Sequence, residues 1–99
     1  MKPSVLFVHQ NFPAQFKHLA PALVERGYNV SALTLAKVKT DNWFGVRLFQ
    51  YELKRGSTPG IHPWLVDFET KLIRGEACLR AALELKDKGY FPDVIIAHP

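Results

Sequence analysis

Residues 5–16 read VLFVHQNFPAQF, and the character of this stretch changes within one residue. The apolar run that ends at Val8 is too short for a helix and too uniformly apolar for a strand with one wet face. It predicts a strand over residues 3–8 that is buried on both faces, as in a parallel sheet. His9, Gln10 and Asn11 follow directly, so hydrogen-bonding side chains gather where this strand ends.

The rest of the chain alternates helical and strand patterns. Phe12, Phe16, Leu19 and Leu23 recur at spacings of four, three and four, which predicts a helix that Gly27 ends. We expect Pro21 to kink this helix; a separate tight turn before it is the alternative. Further patterns predict strands over residues 28–35, 46–53 and 93–97, a loop over 56–63 (GSTPGIHP) and a long helix over 64–88.

This order of elements predicts an α/β fold. Two crossovers through helices require parallel strands, and right-handed connections place the four strands in the order 3-2-1-4 with one helix on each face. We therefore expect residues 1–99 to form a single partial domain, half of a Rossmann-like doubly wound fold, with a four-stranded parallel sheet.

Ligands of such sheets bind at the carboxyl ends of the strands, where the strand order reverses. His9 and His98 directly follow strands 1 and 4, so we predict that they lie side by side there, with Gln10, Asn11 and Gln15 lining the same loop. Two alternatives stay open, namely that Asn11 caps the first helix and that the His9 ring binds the neighbouring loop. Lys54 and Arg55 follow strand 3 and form a weak candidate contact for a phosphate.

The composition narrows the range of partners. Thirteen basic and nine acidic residues give a net charge of +4, which is too small and too dispersed to indicate a nucleic-acid partner. The single cysteine, Cys78, excludes an internal disulfide and fits the reducing cytoplasm as a small buried side chain. No stretch reaches the roughly 18 apolar residues of a membrane span, which leaves only peripheral membrane contact open. No cluster has metal-ligand spacing, so we expect no metal.

Three strings resemble one family. Residues 5–34 (VLFVHQNFPAQFKHLAPALVERGYNVSALT), 57–64 (STPGIHPW) and 92–99 (PDVIIAHP) are similar, in this order, to the opening of a subgroup of glycosyltransferase family 4. The resemblance covers essentially the whole chain. It implies the GT-B architecture, in which two Rossmann-like domains face a cleft.

The resemblance also implies a function. Members of the family transfer a sugar from a nucleotide-diphosphate sugar to an acceptor, generally without a bound metal or another cofactor, and the N-terminal domain mostly binds the acceptor. His9, Gln10, Asn11 and Gln15 would then contact substrate, and His98 would be the catalytic candidate. Complete members run several hundred residues, so we expect this chain to be a truncated part, inactive alone because the donor-binding domain is missing.

Two other functions stay open, a standalone module that binds a small ligand or nucleotide and a self-associating structural domain without catalysis. The predicted strand over residues 93–97 is apolar on both faces and would lie at an edge of the sheet. We therefore expect a homodimer, formed through this strand edge and the long helix.

Overall fold

The computed structural model describes residues 2–98, which fold into one five-stranded sheet and two helices. A short 3-10 helix, Ala14–Phe16, precedes the first α-helix. The strands are β1 Ser4–Val8, β2 Asn29–Thr34, β3 Asn42–Trp43, β4 Val46–Gln50 and β5 Val94–Ala97, and the helices are α1 Leu19–Glu25 and α2 Pro63–Asp87. The predicted α/β class is confirmed.

The sheet differs in detail from the expected one. Its order is β3-β4-β2-β1-β5, and the four strands β4, β2, β1 and β5 pair in parallel, whereas β3 pairs antiparallel with β4. The expectation of four strands, all parallel and with the third at an edge, was therefore wrong.

A tight hairpin explains the additional strand. Phe44 and Gly45 both have positive φ, 50° and 87°, and the Gly45 N–H donates to Oδ1 of Asn42 over 3.1 Å. Two successive residues with positive φ are typical of the two-residue turns that suit twisted hairpins. Because β3 has only two residues, it has no alternating pattern by which the sequence could reveal it.

Each face of the sheet packs on one helix. On one face, Phe7, Val30 and Val46 pack with Phe16 and with Ala20 of α1. On the other face, Leu6, Leu33 and Tyr51 pack with Leu85 of α2. The alternation of Leu6 and Phe7 between the two clusters is that expected of a central strand buried on both faces.

The predicted kink at Pro21 was wrong, because α1 starts later than the sequence pattern indicated. The helix begins only at Leu19, after the 3-10 turn, so Pro21 lies in its first turn. A backbone N–H in the first turn has no intrahelical partner, and proline loses nothing by lacking one there. Residues 14–25 therefore form a separate 3-10 turn followed by a short helix.

Helix α2 is much longer than the sheet beneath it. Its 25 residues span about 37 Å, while a five-residue strand such as β1 spans about 17 Å. The helix begins after His62, whose Nδ1 accepts the Trp64 N–H over 3.1 Å, and Gly89 with φ of 90° follows its end. Much of α2 consequently has no sheet below it.

Candidate functional site

The polar residues after β1 and β5 lie together at the carboxyl edge of the sheet. Val8 and Ala97 are partners in the parallel register, and the His98 N–H donates to the Val8 carbonyl over 3.2 Å. The rings of His9 and His98 stack with their centroids 5.7 Å apart and an interplanar angle of 22°. The predicted juxtaposition of the two histidines is confirmed.

The two rings differ in environment. His9 is buried and meets Phe16 edge-on at 6.3 Å, whereas His98 is exposed. Burial, and then the charge of His98, lower the pKa of His9 below its usual 6.5. His9 is therefore neutral at pH 7.

A backbone contact fixes the tautomer of His9. Its Nδ1 accepts the Asn11 N–H over 2.9 Å, and a neutral ring that accepts at Nδ1 carries its proton on Nε2. His9 can thus donate a hydrogen bond through Nε2 but cannot act there as a base. The alternative in which the His9 ring hydrogen-bonds to the loop beside it is therefore correct, and the bond is made through Nδ1.

The loop after β1 presents the remaining predicted side chains. Asn11 and Gln15 are exposed and Gln10 is half-buried, while the Gln10 carbonyl accepts the N–H groups of Leu35 and Ala36 over 3.2 and 2.9 Å. Asn11 does not cap α1, because the N-cap position belongs to His18. The loop is therefore anchored to the end of β2 by its backbone, which leaves amide side chains at its surface.

Sequence reasoning missed Thr34, the fully buried last residue of β2. Its hydroxyl accepts the N–H groups of Phe12 and Ala36 over 3.2 and 3.3 Å and lies 3.3 Å from the Gln10 carbonyl, to which it donates. Thr34 thereby joins the exits of β1 and β2. A hydroxyl-bearing residue where a predicted strand meets the following loop is the signal that could have identified it.

Lys54 and Arg55 lie elsewhere. They line an open depression of about 780 Å³ between the exit of β4 and α2, and neither His9 nor His98 is among its lining residues. Arg55 donates to the Thr58 hydroxyl over 2.9 Å and lies 3.8 Å from the carboxylate of Glu69. Hydrogen bonds from Thr58, together with Arg55, lower the pKa of Glu69. The structure does not bring this basic pair to the histidine pair.

The carboxyl edge of the sheet at His9 and His98, here called the histidine edge, suits a ligand rich in hydroxyl groups. His98, Asn11 and Gln15 are exposed at this end of the parallel sheet, and imidazole and amide groups supply both donors and acceptors. Across residues 2–98, no group of three or more His, Cys, Asp or Glu could hold a metal ion. In the same part of the chain, no helix is long and apolar enough to cross a membrane.

One comparison with known proteins gave a match. The model of a family described as the Glycosyl transferase family 4 group matches residues 26–99. These residues include β2 to β5, α2 and His98, whereas the segment with His9, Gln10 and Asn11 precedes the match. No curated protein and no solved structure matched the chain.

Proposed function

We propose, from the premise that this chain belongs to the glycosyl transferase family 4 group, that it forms the acceptor side of an enzyme that transfers a sugar from a nucleotide-diphosphate sugar to an acceptor. In this proposal residues 1–99 are one half of a Rossmann-like domain of a GT-B enzyme. The match over residues 26–99 and the parallel strand order β4-β2-β1-β5 support it. Cytoplasmic location belongs to the same proposal, supported by the unpaired thiol of Cys78.

The stacked histidine pair is the observation that carries the proposal. His98 is exposed, so its imidazole can reach an acceptor hydroxyl and take its proton as that oxygen attacks the anomeric carbon. His9, neutral and protonated on Nε2, donates a hydrogen bond that orients a substrate oxygen. Gln10, Asn11 and Gln15 contact further hydroxyl groups of the acceptor.

Binding of the nucleotide-diphosphate sugar requires groups other than those at the histidine edge. A departing nucleoside diphosphate must be stabilised by positive charge or by oriented N–H groups. Of the two basic residues that the sequence offered for phosphate, Arg55 is engaged with Thr58 and Glu69. We therefore expect no turnover from the 99 residues alone, and we assign donor binding to a second domain of the GT-B type.

The test is a chimera in which this chain replaces the matching segment of a complete family 4 enzyme. His98→Ala should lower kcat by about 100-fold or more, the usual range for losing a general base, with little change in thermal stability. His62→Ala, at the start of α2, is the matched control and should leave kcat unchanged. Full turnover with His98→Ala, or loss of turnover through unfolding alone, would contradict the proposal.

The depression lined by Lys54 and Arg55 favours a second candidate, a standalone module that binds a small anionic ligand. Calorimetric titration of the 99-residue chain with nucleotide-diphosphate sugars separates the two functions. Binding that Lys54→Ala abolishes and His98→Ala leaves intact would favour the binding module. The acceptor-side function, in which a second domain binds the donor, instead predicts that the 99-residue chain does not bind these sugars.

A further inference from the structure

Helix α2 has two apolar faces. Small residues, with Leu85, face the sheet, where Ala77, Cys78 and Ala81 pack against the cluster around Leu33. The opposite side carries larger residues at spacings of three, four, seven and four, which together make the outer stripe. The outer stripe consists of Leu65, Phe68, Leu72, Leu79 and Leu83. A helix that is apolar on two sides is normally covered on both.

The outer stripe is uncovered. Its five side chains are each 50–62% exposed. At on the order of 150 Å² or more for a fully exposed large side chain, they present roughly 400–500 Å² of apolar surface. This falls within the range of the largest patch on a typical monomer, about 300–600 Å². Two such surfaces together approach the roughly 1,000 Å² that a specific interface needs.

Four of the five residues of the outer stripe are arranged symmetrically along the helix, whereas the counterpart of Leu65 is Lys86. The midpoint between Gly75 and Glu76 lies halfway between Leu72 and Leu79, and it also lies halfway between Phe68 and Leu83. A two-fold axis through this midpoint would place Leu72 of one copy on Leu79 of the other, and Phe68 on Leu83. Such self-complementarity is what a closed two-fold dimer requires.

We propose that two copies of this chain pair through α2, antiparallel and centred on Gly75. Gly75 has no side chain, and a Cβ built there meets no atom within 4 Å, so the helices can approach closely at the centre. Glu76 and Arg80 beside it form an ion pair at 2.7 Å, so their charges offset each other next to the centre of the stripe. A second copy is therefore an occupant whose shape and charge both suit the stripe.

The edge of β5 is the competing surface. Within residues 2–98, β5 pairs only with β1, and Val94 and Ile95 are 50% and 59% exposed. A dimer formed there would be centred on Ile95, far from Gly75 in sequence and on another element. We favour α2 because the outer stripe is longer and presents five large side chains instead of two.

Cysteine cross-linking under air oxidation tests the geometry in the full 99-residue chain carrying Cys78→Ala. Gly75→Cys should form an intermolecular disulfide, because the proposed axis places its two copies about one residue apart along the helices. Leu65→Cys should not, because its copies would lie roughly 30 Å apart. A disulfide with Ile95→Cys but not with Gly75→Cys would overturn the proposal in favour of the β5 edge, and disulfides at both Leu65 and Gly75 would indicate parallel helices.

Sedimentation of the wild-type chain tests the association itself. We expect a dimer with a dissociation constant roughly in the micromolar range, and Leu72→Glu or Leu79→Glu should weaken it by about 10-fold or more. Val66→Glu, on α2 but off the stripe, is the matched control, and circular dichroism checks that each variant folds. A single 11.3 kDa species across the micromolar range, or a dimer that both stripe variants leave intact, would overturn the proposal.

Discussion

Replacing Thr34 by Val should loosen the loop that carries His9 while preserving the shape of the core. Valine matches threonine in volume but lacks the hydroxyl. The Thr34 side chain is fully buried, and its oxygen accepts the Phe12 N–H and the Ala36 N–H and contacts the Gln10 carbonyl. The substitution therefore removes the link between the exits of β1 and β2.

The loss of stability in Thr34→Val depends on which N–H groups lose their hydrogen-bond acceptor. The Ala36 N–H also donates to the Gln10 carbonyl over 2.9 Å, so it keeps an acceptor. The N–H of Phe12, a buried residue, loses the acceptor that Thr34 provides. An unsatisfied buried donor costs about 1–3 kcal/mol, which lowers the melting temperature of a domain of this size by roughly 4 °C or more.

Thermal unfolding and amide hydrogen exchange together measure this effect. Thr34→Val should lower the melting temperature and speed exchange of the Phe12 amide more than exchange within β2. Thr70→Val is the control, because the Thr70 hydroxyl donates to the Val66 carbonyl at an exposed site and its loss should change stability by less than about 0.5 kcal/mol. Equal melting temperatures for Thr34→Val and the wild type would refute the reasoning.

Two further substitutions probe the site and the β3–β4 hairpin. The folded state binds the His9 proton more weakly than the unfolded state does, so stability should be full above about pH 6.5 and fall as the pH drops through the lowered pKa. The free energy of unfolding, measured by urea titration at several pH values, should show this fall. His9→Asn, whose Oδ1 replaces Nδ1 as the acceptor, should reduce the pH dependence. An unchanged pH dependence would contradict the lowered pKa of His9. Gly45→Ala should cost about 1 kcal/mol or more, because φ is 87° and the added Cβ would lie 2.6 Å from Val24. Gly60→Ala, with φ of 76° but open space, should lower the melting temperature less, and an equal loss would rule out the contact with Val24 as the cause.

The sequence predicted the parts of the fold that depend on long apolar patterns. The uniform run before His9 predicted a central strand, and Gly27, where the first helix was expected to end, has a positive φ. The start of α1 was not predictable in the same way, because the apolar spacing from Phe12 to Leu23 continues through a 3-10 turn and a helix alike. Apolar spacing indicates which residues are buried but does not distinguish a kink from a break.

The candidate site was predictable as far as strand ends determine it. His9 and His98 meet because adjacent parallel strands end at the same edge. Lys54 and Arg55 follow β4 at some distance, and the loop from residue 51 to residue 62 leads them towards α2 instead. The role of Thr34 depends on hydrogen bonds between two loops, which no spacing within one segment encodes.

The ring resonances of the four histidines test the central claim most directly. The 99-residue chain is titrated with acceptor sugars, and carbon–proton NMR spectra of the histidine rings are recorded at each step. These spectra report on the proposed cleft and, through His62, on a distant position. We expect the signals of His9 and His98 to shift and saturate, while that of His62, which caps α2 beside Trp64, stays unchanged. Shifts confined to His62, or no shift of His9 and His98 at millimolar sugar, would contradict an acceptor site at this edge.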